Sequence, residues 1–242
     1  MKLKVLGSNS NGNCYILENE NEALIIECGI SFTEIKKALD FNISKVVGCL
    51  ITHEHKDHSK FASDISKASI DIYASKGTSE AMGVETHLLE AGKVQTIGNF
   101  KVLAFDVMHD CAEPFGFLIN HSETGNVLFA TDTYYLPNTF NNLSNVIIEC
   151  NYCIDILDKN IENGRVAGFL RDRTVESHMS YNTCKEALLA NDLTKVNNIV
   201  LIHLSDSNSN AKEFQEGIYN ATGKNVHVAD KGLELEFNKT PF

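Results

Sequence analysis

Apolar and polar positions alternate along this chain in short runs, and most runs carry the period of strands. Residues 2–6 alternate and predict a first strand. Residues 7–13 predict a turn, and no Gly-Lys-Ser/Thr follows, so it is not a P-loop. The apolar runs 14–17 and 23–26, joined by a polar segment, predict a hairpin. Ser31-Phe32-Thr33-Glu34 has the form of a capping box and opens a helix with Ile35 and Leu39 on its apolar face. Residues 46–51 are an almost unbroken apolar run, as a buried strand requires. Residues 61–68 and 78–82 predict helices, and 70–73 a strand. On the strand 101–108, Leu103, Phe105 and Val107 share one face. Residues 115–120 and 126–130 predict a second hairpin, with His121 in its turn and exposed to solvent. Buried strands are predicted at 146–148 and 199–202, helices at 154–161, 183–190 and 212–220, and late strands at 226–228 and 233–237. His87 and His227 are expected at the surface. The strands fall into two groups, before and after about residue 140, with helices between them. This predicts two packed sheets flanked by helices, an α/β fold in one domain spanning 1–242.

The candidate chemistry begins where the run 46–51 ends. Thr52-His53-Glu54-His55-Lys56-Asp57-His58 puts three imidazoles and two carboxylates in six consecutive positions. In extended backbone His53 and His55 leave the same face and can reach one ion, whereas the adjacent Asp57 and His58 point differently and suit a second. Imidazole nitrogen and carboxylate oxygen are ligands for zinc, manganese and iron; the plain alternative is a solvated loop rich in histidine. His109 continues the face of Leu103, Phe105 and Val107, Asp132 follows the run 127–130, and His203 follows 199–202. Functional groups in open α/β sheets gather beyond strand ends, so His53, His109, Asp132 and His203 could meet in one crevice. A single such histidine is more often structural, and such an aspartate is commonly a cap.

Composition adds limits. Hydrophobic residues make up 43 % and charged residues 22 %, as in an ordinary soluble globular protein. There is no apolar run of about 18 residues and no signal peptide pattern at the start. Seven cysteines without framework spacing, Cys150 and Cys153 included, predict reduced thiols and a cytoplasmic setting. The net charge of −11 opposes binding of long nucleic acid, which rests on neutralisation by Lys and Arg. Arg165, Arg171 and Arg173 are the chain's only arginines, and they lie close together. They are either a chance cluster on a solvated helix or a site of phosphate recognition.

The pattern His-x-His-x-Asp-His after a buried strand resembles the second motif of the metallo-β-lactamase superfamily. Residues 7–13 resemble the Ser-Gly-Ser-x-Gly-Asn opening of its WalJ (YycJ) branch. His178-Met179-Ser180-Tyr181-Asn182 resembles that branch's Gly-His-Leu-Ser-Asn stretch, and residues 203–208 its His-Leu-Ser-x-x-Asn close. The resemblance implies a four-layer αβ/βα sandwich with the site at one edge, between the sheets. It implies two divalent metal ions, zinc by expectation and manganese as the alternative. His53, His55 and His109 would hold the first, Asp57, His58 and His203 the second, and Asp132 would bridge them. Glu27 stands where the family carries an aspartate that orients a metal-bound histidine. No Ser-His-Asp set is visible, so the expected nucleophile is water activated by metal, with Asp57 and His178 as catalytic groups. His178 would bind a phosphate oxygen or protonate the leaving oxygen. Ser180, Ser205, Asn208, Arg171 and Arg173 would contact the substrate, although Ser180 also reads as a helix cap.

Within the branch the chain resembles the phage anti-Pycsar enzymes, homodimeric two-zinc phosphodiesterases that destroy cyclic nucleotide signals. The expectation is therefore a homodimeric phosphodiesterase for cyclic mononucleotides. The alternatives are a WalJ-type DNA exonuclease, which needs a basic groove leading to the metals, and a metalloprotein that sequesters a nucleotide without hydrolysing it.

Overall fold

The computed structural model describes residues 1–240. Its strands are β1 (Lys2–Asn9), β2 (Gly12–Glu18), β3 (Ala23–Ile26), β4 (Val46–Leu50), β5 (Ile72–Ala74), β6 (His87–Leu88), β7 (Val94–Ile97), β8 (Phe100–Asp106), β9 (Phe115–His121), β10 (Gly125–Ala130), β11 (Leu143–Glu149), β12 (Asn198–Ile202), β13 (Asn225–Val228) and β14 (Glu234–Glu236). The helices are α1 (Phe32–Ala38), α2 (Lys56–Ser59), α3 (Ala62–Lys67), α4 (Lys76–Met82), α5 (Ile154–Glu162), α6 (Phe169–Ser177), α7 (Tyr181–Leu189) and α8 (Ala211–Thr222). One sheet has the order β14-β1-β2-β3-β4-β5-β6 and the other β13-β12-β11-β10-β9-β8-β7. The division falls between β6 and β7, not near residue 140, and β14 returns to the first sheet. The sequence pattern misplaced it because β6 and β7 are short and mostly exposed, so neither carries an apolar signature.

Three apolar layers hold the sandwich together. Leu3, Tyr15, Leu17, Leu24 and Ile26 of the first sheet meet Phe117, Phe129, Ile147 and Val200 of the second in the central layer. Alternate residues on the same strands face outward. Ile16, Ile25 and Cys49 pack with Ile35, Leu39 and Ile65 beneath α1 and α3, while Val146, Ile148 and Leu201 pack with Cys184, Leu188, Phe214 and Ile218 beneath α7 and α8. Covering both faces turns a strand into a continuous apolar run, which is why the strands around 46–51, 146–148 and 199–202 stand out in the sequence.

Two local expectations change. Residues 7–9, 12 and 13 belong to β1 and β2, so the predicted turn shrinks to Ser10 and Asn11. His121 is buried, not exposed. It ends β9 on the face of Phe117 and Ile119, tilts against Phe100, and places Nε2 3.1 Å from Glu22 Oε1. His87 is exposed, as expected, and stacks on Tyr73. His227 is only partly buried.

The strand directions position the site. β8 and β10 are both antiparallel to β9, and β10, β11 and β12 are mutually parallel, so the C-terminal ends of β8, β10, β11 and β12 share one edge. β3 and β4 likewise run parallel in the first sheet. Just after β3, the Cys28 amide donates to the His58 carbonyl (2.7 Å), and the Gly29 amide donates to the Asn13 carbonyl (2.9 Å). This contact is so close that a Cβ on Gly29 would overlap the Asp57 carbonyl oxygen. Gly29→Ala is expected to displace α2 and to lower unfolding free energy by about 1–3 kcal/mol, the usual cost of overpacking. Urea unfolding checks this; a variant as stable as the parent would contradict the close approach.

Candidate metal centre

The groups singled out beyond strand ends do converge. His53 follows β4, His109 follows β8, Asp132 follows β10 and His203 follows β12. Glu27, Asp132 and His203 have left-handed backbones, with φ of 66°, 47° and 54°. Such conformations cost non-glycine residues of order 1–3 kcal/mol and persist where surrounding structure imposes them. Here each turns the chain sharply at a strand end and leaves its side chain in the buried edge between the sheets.

Donor atoms of His53, His55, His109 and Asp132 lie within 4.8 Å of one another, and so do those of Asp57, His58, Asp132 and His203. Asp132 belongs to both groups. Its Oδ2 is 3.1 Å from His58 Nε2, 3.5 Å from His53 Nε2 and 3.6 Å from His109 Nε2, and its Oδ1 is 3.3 Å from His203 Nδ1. Asp57 Oδ2 lies 3.2 Å from His58 Nε2 and 3.4 Å from His203 Nε2.

The rings are oriented from behind. His109 Nδ1 donates to the Ser177 carbonyl (2.8 Å), which leaves Nε2 as the lone-pair nitrogen facing the cluster. His53 Nδ1 is 2.8 Å from Thr52 Oγ1, and its buried Nε2 has no hydrogen-bond partner among the described residues. His58 Nδ1 faces Glu27 Oε2 at 3.6 Å, and Glu27 Oε1 accepts from the Thr52 amide (3.3 Å). Glu27 therefore reaches a histidine of the cluster from outside it. Asn13, which the sequence did not single out, places Nδ2 3.1 Å from His58 Nε2 and 3.3 Å from Asp57 Oδ2.

Burial and charge divide the histidines. Burial, with repulsion from neighbouring histidines, holds His53 well below its ordinary pKa, and burial also lowers His109. Both are thus in the neutral form that ligates metal. At His58 and His203 burial also pulls downward, but the carboxylates prevail. Asp132 and Glu27 raise His58 well above its usual value, and Asp132, Asp57 and Glu149 push His203 up to about 10. Asp57 is held well below the carboxylate range, its burial outweighed by His203 and His58. These donors fit divalent cations: unpaired imidazole nitrogen, ionised carboxylate, and protons occupying positions where a cation would balance charge.

Glu149 is the principal residue missed in the sequence. It ends β11 with no exposed surface. Oε1 accepts from His178 Nδ1 (2.7 Å) and lies 3.2 Å from His203 Nδ1; Oε2 accepts from the Thr133 and Met179 amides (3.1 and 3.0 Å). It also completes a third close group, with Asp132, His178 and His203. The strand-end rule that picked out Asp132 also reaches the residue after 146–148.

The remaining candidates make other contacts. Ser180 accepts from the Thr183 amide and caps α7. Ser205 accepts from the Asn208 amide (3.2 Å), and Asn208 accepts from Asn160 (3.0 Å), so this pair shapes the loop after His203. Arg171 pairs with Asp158 through Nε (2.6 Å) and joins α6 to α5. Arg173 lines a cavity beside His109.

Comparison with known proteins agrees with this geometry. Residues 23–204 match the family described as a beta-lactamase superfamily domain. Exodeoxyribonuclease WalJ of Streptococcus pneumoniae serotype 2 is 29 % identical over 256 residues, covering 98 % of this chain and 92 % of its own. Exodeoxyribonuclease YycJ of Bacillus anthracis is 30 % identical over 235 residues, covering 88 % of this chain and 86 % of its own. Among solved structures, the metallo-β-lactamase fold protein YhfI from Bacillus subtilis superposes with a TM-score of 0.73 at 15 % identity, covering 97 % of this chain and 98 % of that one. With clustered histidines and carboxylates at the shared edge of an αβ/βα sandwich, the chain belongs to the metallo-β-lactamase superfamily and is homologous to its WalJ/YycJ proteins.

Proposed function

We propose that the protein is a two-metal phosphodiesterase that removes nucleotides from DNA ends. The observation that supports it most is the position of Asp132, one carboxylate shared by two groups of donors. The choice of DNA comes from the relatives aligned along most of the chain, which are named exodeoxyribonucleases. They put the exonuclease reading ahead of the cyclic mononucleotide reading that charge had favoured.

In this assignment His53, His55, His109 and Asp132 would hold one divalent ion, and Asp57, His58, His203 and Asp132 would hold the other. Bound there, such ions supply Lewis acidity and lower the pKa of water. The chain's own groups then set geometry and handle protons. Ser177, Thr52 and Glu27 fix the rings of His109, His53 and His58. Asp57, ionised and at the site's edge, accepts a hydrogen bond from the attacking water and orients it, and the water's proton passes to solvent. Glu149 fixes His178 and, against the effect of burial, raises its pKa, so the ring holds a proton for the leaving oxygen. Water adds to phosphorus, the P–O bond to the leaving group breaks, and that oxygen takes the proton.

A second reading has its own support. With a net charge of −11 and Arg171 paired with Asp158, acidic charge outweighs the basic side chains that a long phosphate track needs. A cyclic mononucleotide, with one phosphodiester, asks for fewer.

Three measurements test these assignments. With zinc or manganese, linear duplex DNA should lose nucleotides faster than cyclic cytidine or uridine monophosphate is opened, and turnover of the cyclic substrates alone would reverse the ranking. Asp132→Ala should reduce bound metal from about two equivalents to less than one without loss of secondary structure; full retention in metal analysis would refute the shared carboxylate. Glu27→Gln should weaken metal affinity or turnover about 10–100-fold, and an unchanged variant would leave Glu27 a packing role only.

A further inference from the structure

Beside the metal-binding edge lies a cavity of about 830 Å³ to which the assignments above give no use. His109 and Ser177 connect it to the site, because the Ser177 carbonyl is the acceptor that orients His109. Met108, Tyr134, Arg173 and Val175 contribute further lining. Its volume is that of a small-molecule site, within the usual range of about 300–1,000 Å³.

Tyr134 stands out in this lining. It is 43 % exposed, and Met108 beside it is 40 % exposed. Tyr134 belongs to none of the three apolar layers. Its backbone, in contrast, is tied to the site. The Tyr134 amide donates to the Met108 carbonyl (3.3 Å), and the Met108 amide donates to Thr133 Oγ1 (3.0 Å). Thr133 Oγ1 in turn donates to the Tyr135 carbonyl (2.7 Å), and the Thr133 amide donates to Glu149 Oε2 (3.1 Å). The same carboxylate that holds His178 thus fixes the segment carrying Tyr134, two residues beyond Asp132. An aromatic residue held half in water beside the metal-binding edge can serve as a platform for a stacked base.

The charges of the cavity favour one part of a nucleotide. Asp110 and Glu176 line it with Arg173, and Arg173 Nε lies 4.0 Å from Asp110 Oδ2. Two carboxylates against one guanidinium disfavour a phosphate but suit the amino-bearing edge of a base, since ionised carboxylates only accept hydrogen bonds.

We infer that this cavity is a nucleobase subsite, in which the base of the nucleotide undergoing hydrolysis stacks on Tyr134 while its phosphodiester lies at the Asp132 cluster. The inference rests on the phosphodiesterase reading and holds for a DNA end or a cyclic mononucleotide alike.

The chain contains no tryptophan, so Tyr134→Trp installs a single indole reporter. In the metal-loaded variant, deoxyadenosine monophosphate should quench its fluorescence saturably, and ribose 5-phosphate should not. Tyr134→Ala should raise KM for an oligonucleotide with an ordinary terminus about 5- to 160-fold, the usual range for loss of one base stack. It should leave metal content and KM for an abasic terminus unchanged, while Tyr134→Phe should behave as the parent. Absence of base-dependent quenching, together with an unchanged KM in Tyr134→Ala, would overturn the subsite while leaving the phosphodiesterase reading intact. A parent that turns over no phosphodiester would overturn that reading, and the fluorescence titration would then decide the subsite alone.

Discussion

The buried carboxylate of Asp132 is the constraint on which the site's architecture depends. It sits at a left-handed turn with almost no access to water, and a charge in that position must be balanced by its neighbours. The imidazoles of His53, His58, His109 and His203 surround it, and Asp57 and Glu149 complete the ring of charge. The histidines answer in two ways. Burial biases His53 and His109 toward the neutral form, while the facing carboxylates bias His58 and His203 toward the protonated one. The three apolar layers beneath the edge hold this otherwise unfavourable concentration of polar groups in place.

Much of this was legible in the sequence because the physics behind it is local. Strands covered on both faces read as apolar runs, and the residue after each run falls at the sheet edge, so His53, His109, Asp132 and His203 could be named without a structure. Asp57 and His58 were legible from adjacency alone. Glu149 escaped because an acid at the end of an apolar run looks like the start of a solvated loop, and nothing nearby announces that His178 and the Met179 amide come back to meet it. His121 escaped through a small error in a turn: β9 extends to it, and period-2 alternation then carries it inward to Glu22, 99 positions away in sequence. The arginine cluster divided for a similar reason, since the Asp158 partner of Arg171 lies on a different helix.

Anchoring is uneven around the site. The rings of His53 and His58 are held from behind by Thr52 and Glu27, which follow strands of the first sheet. The wall that supplies the Ser177 carbonyl and leads to His178 is α6, which buries only Ser177 among its nine residues and exposes Phe169 and Leu170. Its connection to α5 is a largely exposed ion pair, of a kind that adds little stability on its own. Segments with few buried contacts open most readily, so motion at the site is expected to enter from α6 and not from the metal-binding loop.

The pairing of β14 with β1 brings distant parts of the chain together in the first sheet. Residues 234–236 lie against residues 2–4, and Ser8 of β1 accepts a hydrogen bond from the His203 amide at the far sheet. Contacts at such sequence separation are slow to form, because a long loop must close before they are made. During synthesis the His-x-His-x-Asp-His segment leaves the ribosome long before Asp132, and Asp132 long before His203 and the strand that closes the first sheet. The first segment to emerge carries donors of both groups, but the first group is incomplete until Asp132 follows and the second until His203 does. The paired donor set is therefore complete only after His203 has emerged, which makes the shared-carboxylate geometry one of the last features the chain can build.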